Sequence, residues 1–451
     1  MKIGIDLGTT NTKALALKAA GEVVYECSHP TAIISVPTGG EMDAKQLGTD
    51  FLHLLQDTIS EIRKITDEPL EGIGLTGMAE AGCLVNDEFE PITPILLWYD
   101  RRGAEEAEEL RAEYEDALTS VSGIRMSNVA TIYKLANLKK WYTENRPRCT
   151  KKWVGVPEWA AWLLTAEHYT DRTLAVRTGA YSLKTNDWSP GICGIVGIDP
   201  DIFPQVILAG QQNILISPEI AAWLGVPETV RVTVAGHDDM AAAFGAGLSD
   251  RVWVDSTGTA EGLVALTASL PDARQTVKNR MSIAPWYDEG QWALIAGVGT
   301  SGSLLAELRK QTGLEFSQID EMAKLKAPHP VNAISTELTP ARIAKVSFLP
   351  GLSNEQKVSA VYDLILSNFI QQAGQIMKFA PAPERLVITG GHALLPELSR
   401  RKSEALGGIP TEARPKPEAA AYGAARLCGN LTPDSYSSNS PSNTCVVAPV
   451  R

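Results

Sequence analysis

Two stretches of the chain carry the same pattern, and that repetition constrains the fold more than any other feature. Residues 3–18 read IGIDLGTTNTKALALK and residues 252–267 read VWVDSTGTAEGLVALT. Each is an apolar strand ending in Asp, then a turn of Gly and Thr, then a second strand. One unit used twice implies α/β layers in both halves of the chain, each half opening on a hairpin rather than on a strand–helix–strand crossover.

The segments between the repeats fit that plan. EVVYEC (22–27) reads as a third strand. A helix is expected from about Asp43, with Asp43 and Gln46 as a capping box and Leu47, Phe51, Leu54, Leu55, Ile59 and Ile62 as its apolar stripe. GIGLT (72–76) and PILLWY (94–99) read as strands, and 104–118 as a helix whose acidic face is solvated. The boundary falls near 235–250. This gives an N-terminal domain at 1–245, a C-terminal domain at 246–430, and a Ser-, Asn- and Pro-rich tail at 431–451 expected to be disordered. A length of 451 residues accommodates two such domains.

Composition excludes several classes of function. Lys and Arg number 41 against 53 Asp and Glu, and a net charge of −12 argues against nucleic acid as the partner. No run of about 18 apolar residues is present, so no membrane span is expected. MKIGIDLGTT reads as strand and turn rather than as a secretory leader, so a cytoplasmic protein is expected. The six cysteines and six histidines are scattered without metal-ligand or redox spacing.

The turns carry the chemistry. In DLGTTNTK (6–13), Gly8 lets the backbone approach an anion. Thr9, Thr10 and Asn11 add hydroxyl, amide and backbone donors, and Lys13 adds charge. Asp6 is a hard oxygen ligand suited to Mg²⁺ held through water. The turn at Asp255-Ser-Thr-Gly-Thr259 offers the same donors from the other half, so two facing turns can grip a polyphosphate. In LVITGGHALLP (386–396), Gly390 and Gly391 suit a flat ring lying against backbone. In TVAGHDDMAAAFGAG (233–247), Asp238 and Asp239 stand at a helix start, as caps or with Asp238 as a general base toward a hydroxyl. GVGTSG (297–302) has the spacing of a dinucleotide fingerprint but lacks the opening strand–helix–strand unit and the strand-end acid.

Taken together these residues resemble the FGGY carbohydrate kinases, a branch of the actin-like ATPases, over about residues 1–428. The motifs that match, in family order, are DLGTTNTK, LTGMAEAGCLVNDEFEPITPILLWYDRR (75–102), DRTLAVRTGAYSLKTNDW (171–188), GIDPDIFPQV (197–206), GHDDMAAAFGAG, STGT (256–259), and TGGHALLP with EAAAYGAA (418–425). The resemblance implies two actin-like (ribonuclease H-like) domains flanking a central catalytic cleft, with ATP mainly on the second domain and the sugar mainly on the first. It makes Asp238 the general base and Asp6 the Mg²⁺-associated acid. Gly258 and Thr259 become phosphate contacts, and Gly302 a residue lining the nucleotide site. Glu80, Trp98, Asp100, Arg102, His237 and Asp239 become the acceptor-side residues, with an Asp100–Arg102 pair that braces its own loop as the alternative for those two.

The acceptor pocket departs from familiar members. Glycerol kinases carry Arg-Glu where this chain has Ala79 and Glu80, and xylulokinases carry Met-His there. Glu261 and Gly262 stand near a Phe of glycerol kinases and are expected to make that neighbourhood more polar. The implied activity is ATP-dependent phosphorylation of a small sugar or polyol, with a ketopentose such as xylulose or ribulose foremost and a glycerol- or erythritol-type polyol as the alternative. The implied partners are that substrate and Mg-ATP, with a homodimer allowed for. IGIDLGTTNT is also similar to the opening of the seventy-kilodalton heat-shock chaperones, but the second turn lacks their triple-Gly pattern and no peptide-binding domain follows.

Overall fold

The computed structural model describes residues 1–428, other than 126, 128, 146–150, 212–213, 259, 339–343 and 415–418. Thr259 and the tail at 431–451 therefore lie outside the described residues.

The first half is built on a five-stranded sheet. Its strands are β1 (Lys2–Leu7), β2 (Asn11–Leu17), β3 (Val23–Pro30), β4 (Gly72–Gly77) and β5 (Arg231–His237). Their spatial order is β5-β4-β1-β2-β3, with β4 and β5 parallel to β1, β2 antiparallel to β1, and β3 antiparallel to β2. The second half repeats this plan with β6 (Val252–Thr257), β7 (Glu261–Thr267), β8 (Met281–Pro285), β9 (Trp292–Gly299), β10 (Arg385–Gly390) and β11 (Thr411–Arg414). Its order is β8-β9-β7-β6-β10-β11, again with two parallel strands on one side of the opening strand and antiparallel strands on the other. The repeat seen in the sequence is thus a repeat of sheet topology. β1 is buried on both faces, as its unbroken apolar run requires.

The helices that position the site are α1 (Ala44–Arg63), α2 (Arg172–Arg177), α3 (Asp238–Gly245), α4 (Ser301–Thr312), α5 (Pro396–Ala405) and α6 (Ala419–Leu427). α1 starts after Asp43, whose carboxylate accepts the N–H groups of Lys45 and Gln46. Gln46 reaches forward to Asp50 rather than back to Asp43, so only half of the capping box forms. The whole stripe from Leu47 to Ile62 is buried, worth about 1.5–3 kcal/mol for each large side chain. PILLWY contributes only a short strand, Ile95–Leu96, before the chain turns away. α6 follows the second sheet in sequence but packs on the first, against β1, β4, β2 and α3. Among the described residues no helix is long and apolar enough to cross a membrane.

Candidate active site

The register of the first sheet brings together residues far apart in sequence. Asp6 on β1 pairs with Thr76 on β4, and Thr76 pairs with Gly236 on β5. Thr76 Oγ1 donates to the Gly236 carbonyl at 2.7 Å. β5 shifts register between Val234 and Gly236. Gly236 has φ +95°, and a Cβ there would lie 2.2 Å from Thr173 Oγ1. That bulge re-aims the strand end, so His237, Asp238 and Asp239 emerge beside Asp6. Thr173, on α2, fixes the exit by accepting the His237 N–H at 2.9 Å.

The acids there are unevenly partnered. Asp6 Oδ1 is buried without a hydrogen-bond partner. Burial first, and then the Asp238 charge, push the Asp6 pKa up to about 7, with Lys13 opposing. Lys13 sits opposite Asp6 in the β1–β2 register. Asp238 Oδ1 accepts the Asp239 N–H at 2.8 Å and lies 3.0 Å from His237 Nε2. Burial would lower the pKa of His237, but Asp238 and Asp239 more than offset it and hold it above its ordinary value. Asp238 keeps 33% of its side chain open and Asp239 54%. An orphaned buried carboxylate oxygen beside further carboxylates suits a hard divalent cation such as Mg²⁺.

Around the first turn, the Gly8 N–H donates to the Asn11 carbonyl at 3.2 Å. A Cβ on Gly8 would come within 2.8 Å of that oxygen. Thr31 secures the turn from outside, donating through Oγ1 to Gly8 O at 2.8 Å and through its N–H to Thr10 O at 3.0 Å. Thr10 is exposed, whereas Thr9 and Asn11 are half-buried. Trp98 Nε1 donates to Thr9 Oγ1 at 3.1 Å, so the first turn and the Trp98 loop share one contact.

Glu80 has φ +55°, and its carboxylate ion-pairs with Arg177 on α2. Arg177 also acts electrostatically on His237 and Asp239, so Glu80, Arg177, His237, Asp238, Asp239 and Asp6 form one charged group. Asp100 and Arg102 are spent on each other. Asp100 is fully buried, and its two oxygens accept from Arg102 Nε at 2.8 Å, Arg102 N at 2.9 Å, Arg102 Nη2 at 2.9 Å and Thr38 Oγ1 at 2.9 Å. Arg102 also reaches Glu41 at 2.6 Å. This is the geometry of a loop brace.

In the second half, Gly258 is exposed just past the end of β6, its N–H donating to the Ala260 carbonyl at 2.8 Å. Gly390 ends β10 with φ +75°, and a Cβ there would lie 2.0 Å from Thr257 O. Gly391 opens a 3-10 turn and faces open space. Gly302 is the second residue of α4, whose first turn presents backbone N–H groups to an anion. Glu261 turns inward to Lys402 on α5 at 2.8 Å. It is buried in the second half rather than widening an acceptor pocket.

Arg177, Lys134 and Lys402 carry this arrangement but were not singled out in the sequence. Arg177 lay inside a motif read only as a pattern. The two lysines look like surface residues of ordinary amphipathic helices until the partners that bury them are known.

Residues 1–245 match the N-terminal domain of the FGGY family of carbohydrate kinases. The chain is 30% identical over 271 residues to the L-fuculokinase of Escherichia coli, covering 59% of this chain and 56% of that protein. It is 27% identical over 257 residues to the xylulose kinase of Staphylococcus xylosus, covering 55% and 51%. It thus spans about half the length of the curated relatives it matches. The fold matches that of the xylulose kinase from Rhodospirillum rubrum with a TM-score of 0.82 at 22% identity, over 96% of this chain and 91% of that one. The chain belongs to the FGGY family of carbohydrate kinases.

Proposed function

We propose that the protein transfers the γ-phosphoryl group of ATP to a primary hydroxyl of a small sugar or polyol, with a ketopentose as the foremost substrate. The observation that carries this reading is the meeting of Asp6, its Oδ1 unpartnered, with a solvent-open Asp238 whose Oδ1 is oriented by His237. The acceptor hydroxyl oxygen bonds to the γ-phosphorus, the bond to the β-phosphate oxygen breaks, ADP leaves, and the hydroxyl proton passes to Asp238. Asp6 would hold Mg²⁺, which supplies charge neutralisation for the phosphates when bound. Hydroxyls at Thr9 and Thr10 would cradle the polyphosphate, with Gly8 and Gly258 letting the backbone come close to it. Gly302, Gly390 and Gly391 would line the nucleoside. Glu80, Trp98 and Arg177 would face the acceptor, with Asp100 and Arg102 holding the Trp98 loop.

A glycerol- or erythritol-type polyol is the second reading, and the Glu80–Arg177 pair favours it. The arginine absent at position 79 is replaced beside Glu80 by one from α2.

A coupled ADP assay across ketoses, polyols and aldonates tests the activity. Asp238→Asn is expected to lower kcat by roughly 10²–10⁴-fold while Mg·ADP still binds. Near wild-type turnover in that variant removes Asp238 as the base. A flat response of the wild-type enzyme across the panel removes the kinase reading.

A further inference from the structure

Beneath the second turn lies a charged cluster that phosphoryl transfer does not itself use. The side chains of Asp255, Glu261 and Lys402 are 0% exposed and that of His392 is 2% exposed. The Lys402 ammonium donates to Asp255 Oδ2 at 2.5 Å and to Glu261 Oε1 at 2.8 Å, and it lies 3.2 Å from His392 Nδ1. An ammonium has three donors and no acceptor, so these contacts use its whole capacity when Nδ1 accepts. Burial first, and then the Lys402 charge, push the His392 pKa down to about 3, which keeps the ring neutral and so leaves one of its nitrogens an acceptor. The four residues come from β6, β7, the 3-10 turn after β10, and α5.

The duplicated unit gives the cluster its meaning. Asp255 ends the apolar run of β6 as Asp6 ends that of β1. Both acids keep a buried Oδ1 without a partner, but the other oxygen of Asp255 meets a cation built into the chain, Lys402. Directly above, the Thr257 hydroxyl donates to the Thr389 carbonyl and accepts the His392 N–H at 3.0 Å. The ends of β6 and β10 are therefore joined twice, by the buried Thr257 and by Lys402.

We infer that Lys402 is a positioning residue for the nucleotide: by tying Asp255 and Glu261 to His392 it holds the second phosphate turn and the glycine turn at 390–391 in one fixed relation. Polyphosphate and nucleoside contacts are then presented together. This rests on the nucleotide reading above.

Calorimetric titration with Mg·ADP tests it without needing the acceptor. Lys402→Met is expected to weaken Mg·ADP binding by about tenfold or more, with the KM for the acceptor within about twofold of wild type. Because that variant strands two buried carboxylates, a second removes all the charge at nearly constant volume: Lys402→Met with Asp255→Asn and Glu261→Gln. It is expected to keep the wild-type circular dichroism and melting cooperativity, yet to bind Mg·ADP as weakly as the single variant. Recovery of wild-type affinity in the triple variant would show that Lys402 only balances charge, and would overturn the assignment. So would an equal rise in acceptor KM, or a triple variant that does not fold. Failure of the wild-type protein to bind Mg·ADP sinks the nucleotide reading itself, and this inference with it.

Discussion

Lys134 shows how much one side chain organises on the acceptor side. It is fully buried, and its ammonium donates to the carbonyls of Glu80 at 2.7 Å, Trp98 at 3.1 Å and Val129 at 3.3 Å. Burial is the main cause that pulls its pKa down to about 8. Glu80 is held in the left-handed region, a conformation that costs about 1–3 kcal/mol and persists only when its surroundings over-determine it. Lys134 grips its carbonyl and Arg177 its carboxylate. Lys134→Met is expected to strand three carbonyls, lower stability by about 3 kcal/mol or more, and raise the acceptor KM several-fold while Mg·ADP affinity holds. An unchanged acceptor KM in the folded variant would show that the Glu80 and Trp98 loops hold their places without it. Glu158 yields a pH prediction away from the site. Burial first, and the Asp171 charge in addition, push its pKa up to about 7 against a hydrogen bond from Thr170 at 2.6 Å. The folded state then binds a proton that the unfolded chain releases near 4.3, so stability falls as pH rises from about 4.3 to 7 and levels off above. Glu158→Gln is expected to flatten that decline, measured as melting temperature against pH. An identical slope in the variant would show that Glu158 ionises freely in the fold.

At the scale of elements, the seating of α6 on the first sheet depends on missing side chains. A Cβ on Gly4 of β1 would lie 1.8 Å from the Ala421 carbonyl, and one on Gly74 of β4 would lie 2.1 Å from the Ala424 carbonyl. On its other side, a Cβ on Gly423 would lie 1.8 Å from the Ala241 carbonyl of α3. The backbone is the obstacle each time, so nothing flexible can yield. Gly423→Val is expected to destabilise the protein by about 2–3 kcal/mol or more and to displace the start of α3, where Asp238 sits. Denaturant melts check the first effect and kcat the second, and a wild-type melt would sink the close-packing account. The small-residue runs EAAAYGAA and MAAAFGAG were visible in the sequence as motifs. That they touch was not, because their contact depends on a helix returning from the far end of the chain. The opening hairpins, α1 and the glycine turns were legible because local pattern determines them. The Asp100–Arg102 brace was legible as a local pair, but the partners of Glu80 and Glu261 were not. Each of those is set by long-range register: Arg177 reaches Glu80 across the fold, and Lys402 turns Glu261 inward.

At the scale of the whole molecule, the two sheets share one plan but have divided the work. The first ends in Asp6 and Asp238, and the second ends in glycine turns. Contacts between the halves reach the end of β5 itself, where Tyr287 stands against Gly236. Arg172 donates to the Trp286 carbonyl at 3.0 Å, Tyr287 Oη donates to the Ala235 carbonyl at 2.7 Å, and the Ile283 N–H donates to the Gly123 carbonyl at 2.9 Å. Phe244, Trp286 and Tyr287 pack together there, with ring centroids 4.9 to 6.3 Å apart. A buried aromatic joint of this kind resists sliding, so the motion expected of the halves is a rotation that closes the strand ends toward each other. On the proposed function, the γ-phosphate of ATP on the second half would have to meet a hydroxyl on the first, with water excluded. The radius of gyration measured by small-angle scattering is therefore expected to fall when a non-hydrolysable Mg·ATP analogue and the acceptor are both bound, and to change little with the acceptor alone. Tyr287→Phe removes the bond to Ala235 and is expected to loosen the joint, raising the KM for both substrates together rather than for one. Superposable scattering curves for the free and doubly bound protein would mean that the cleft is preformed, and the joint would then serve stability alone.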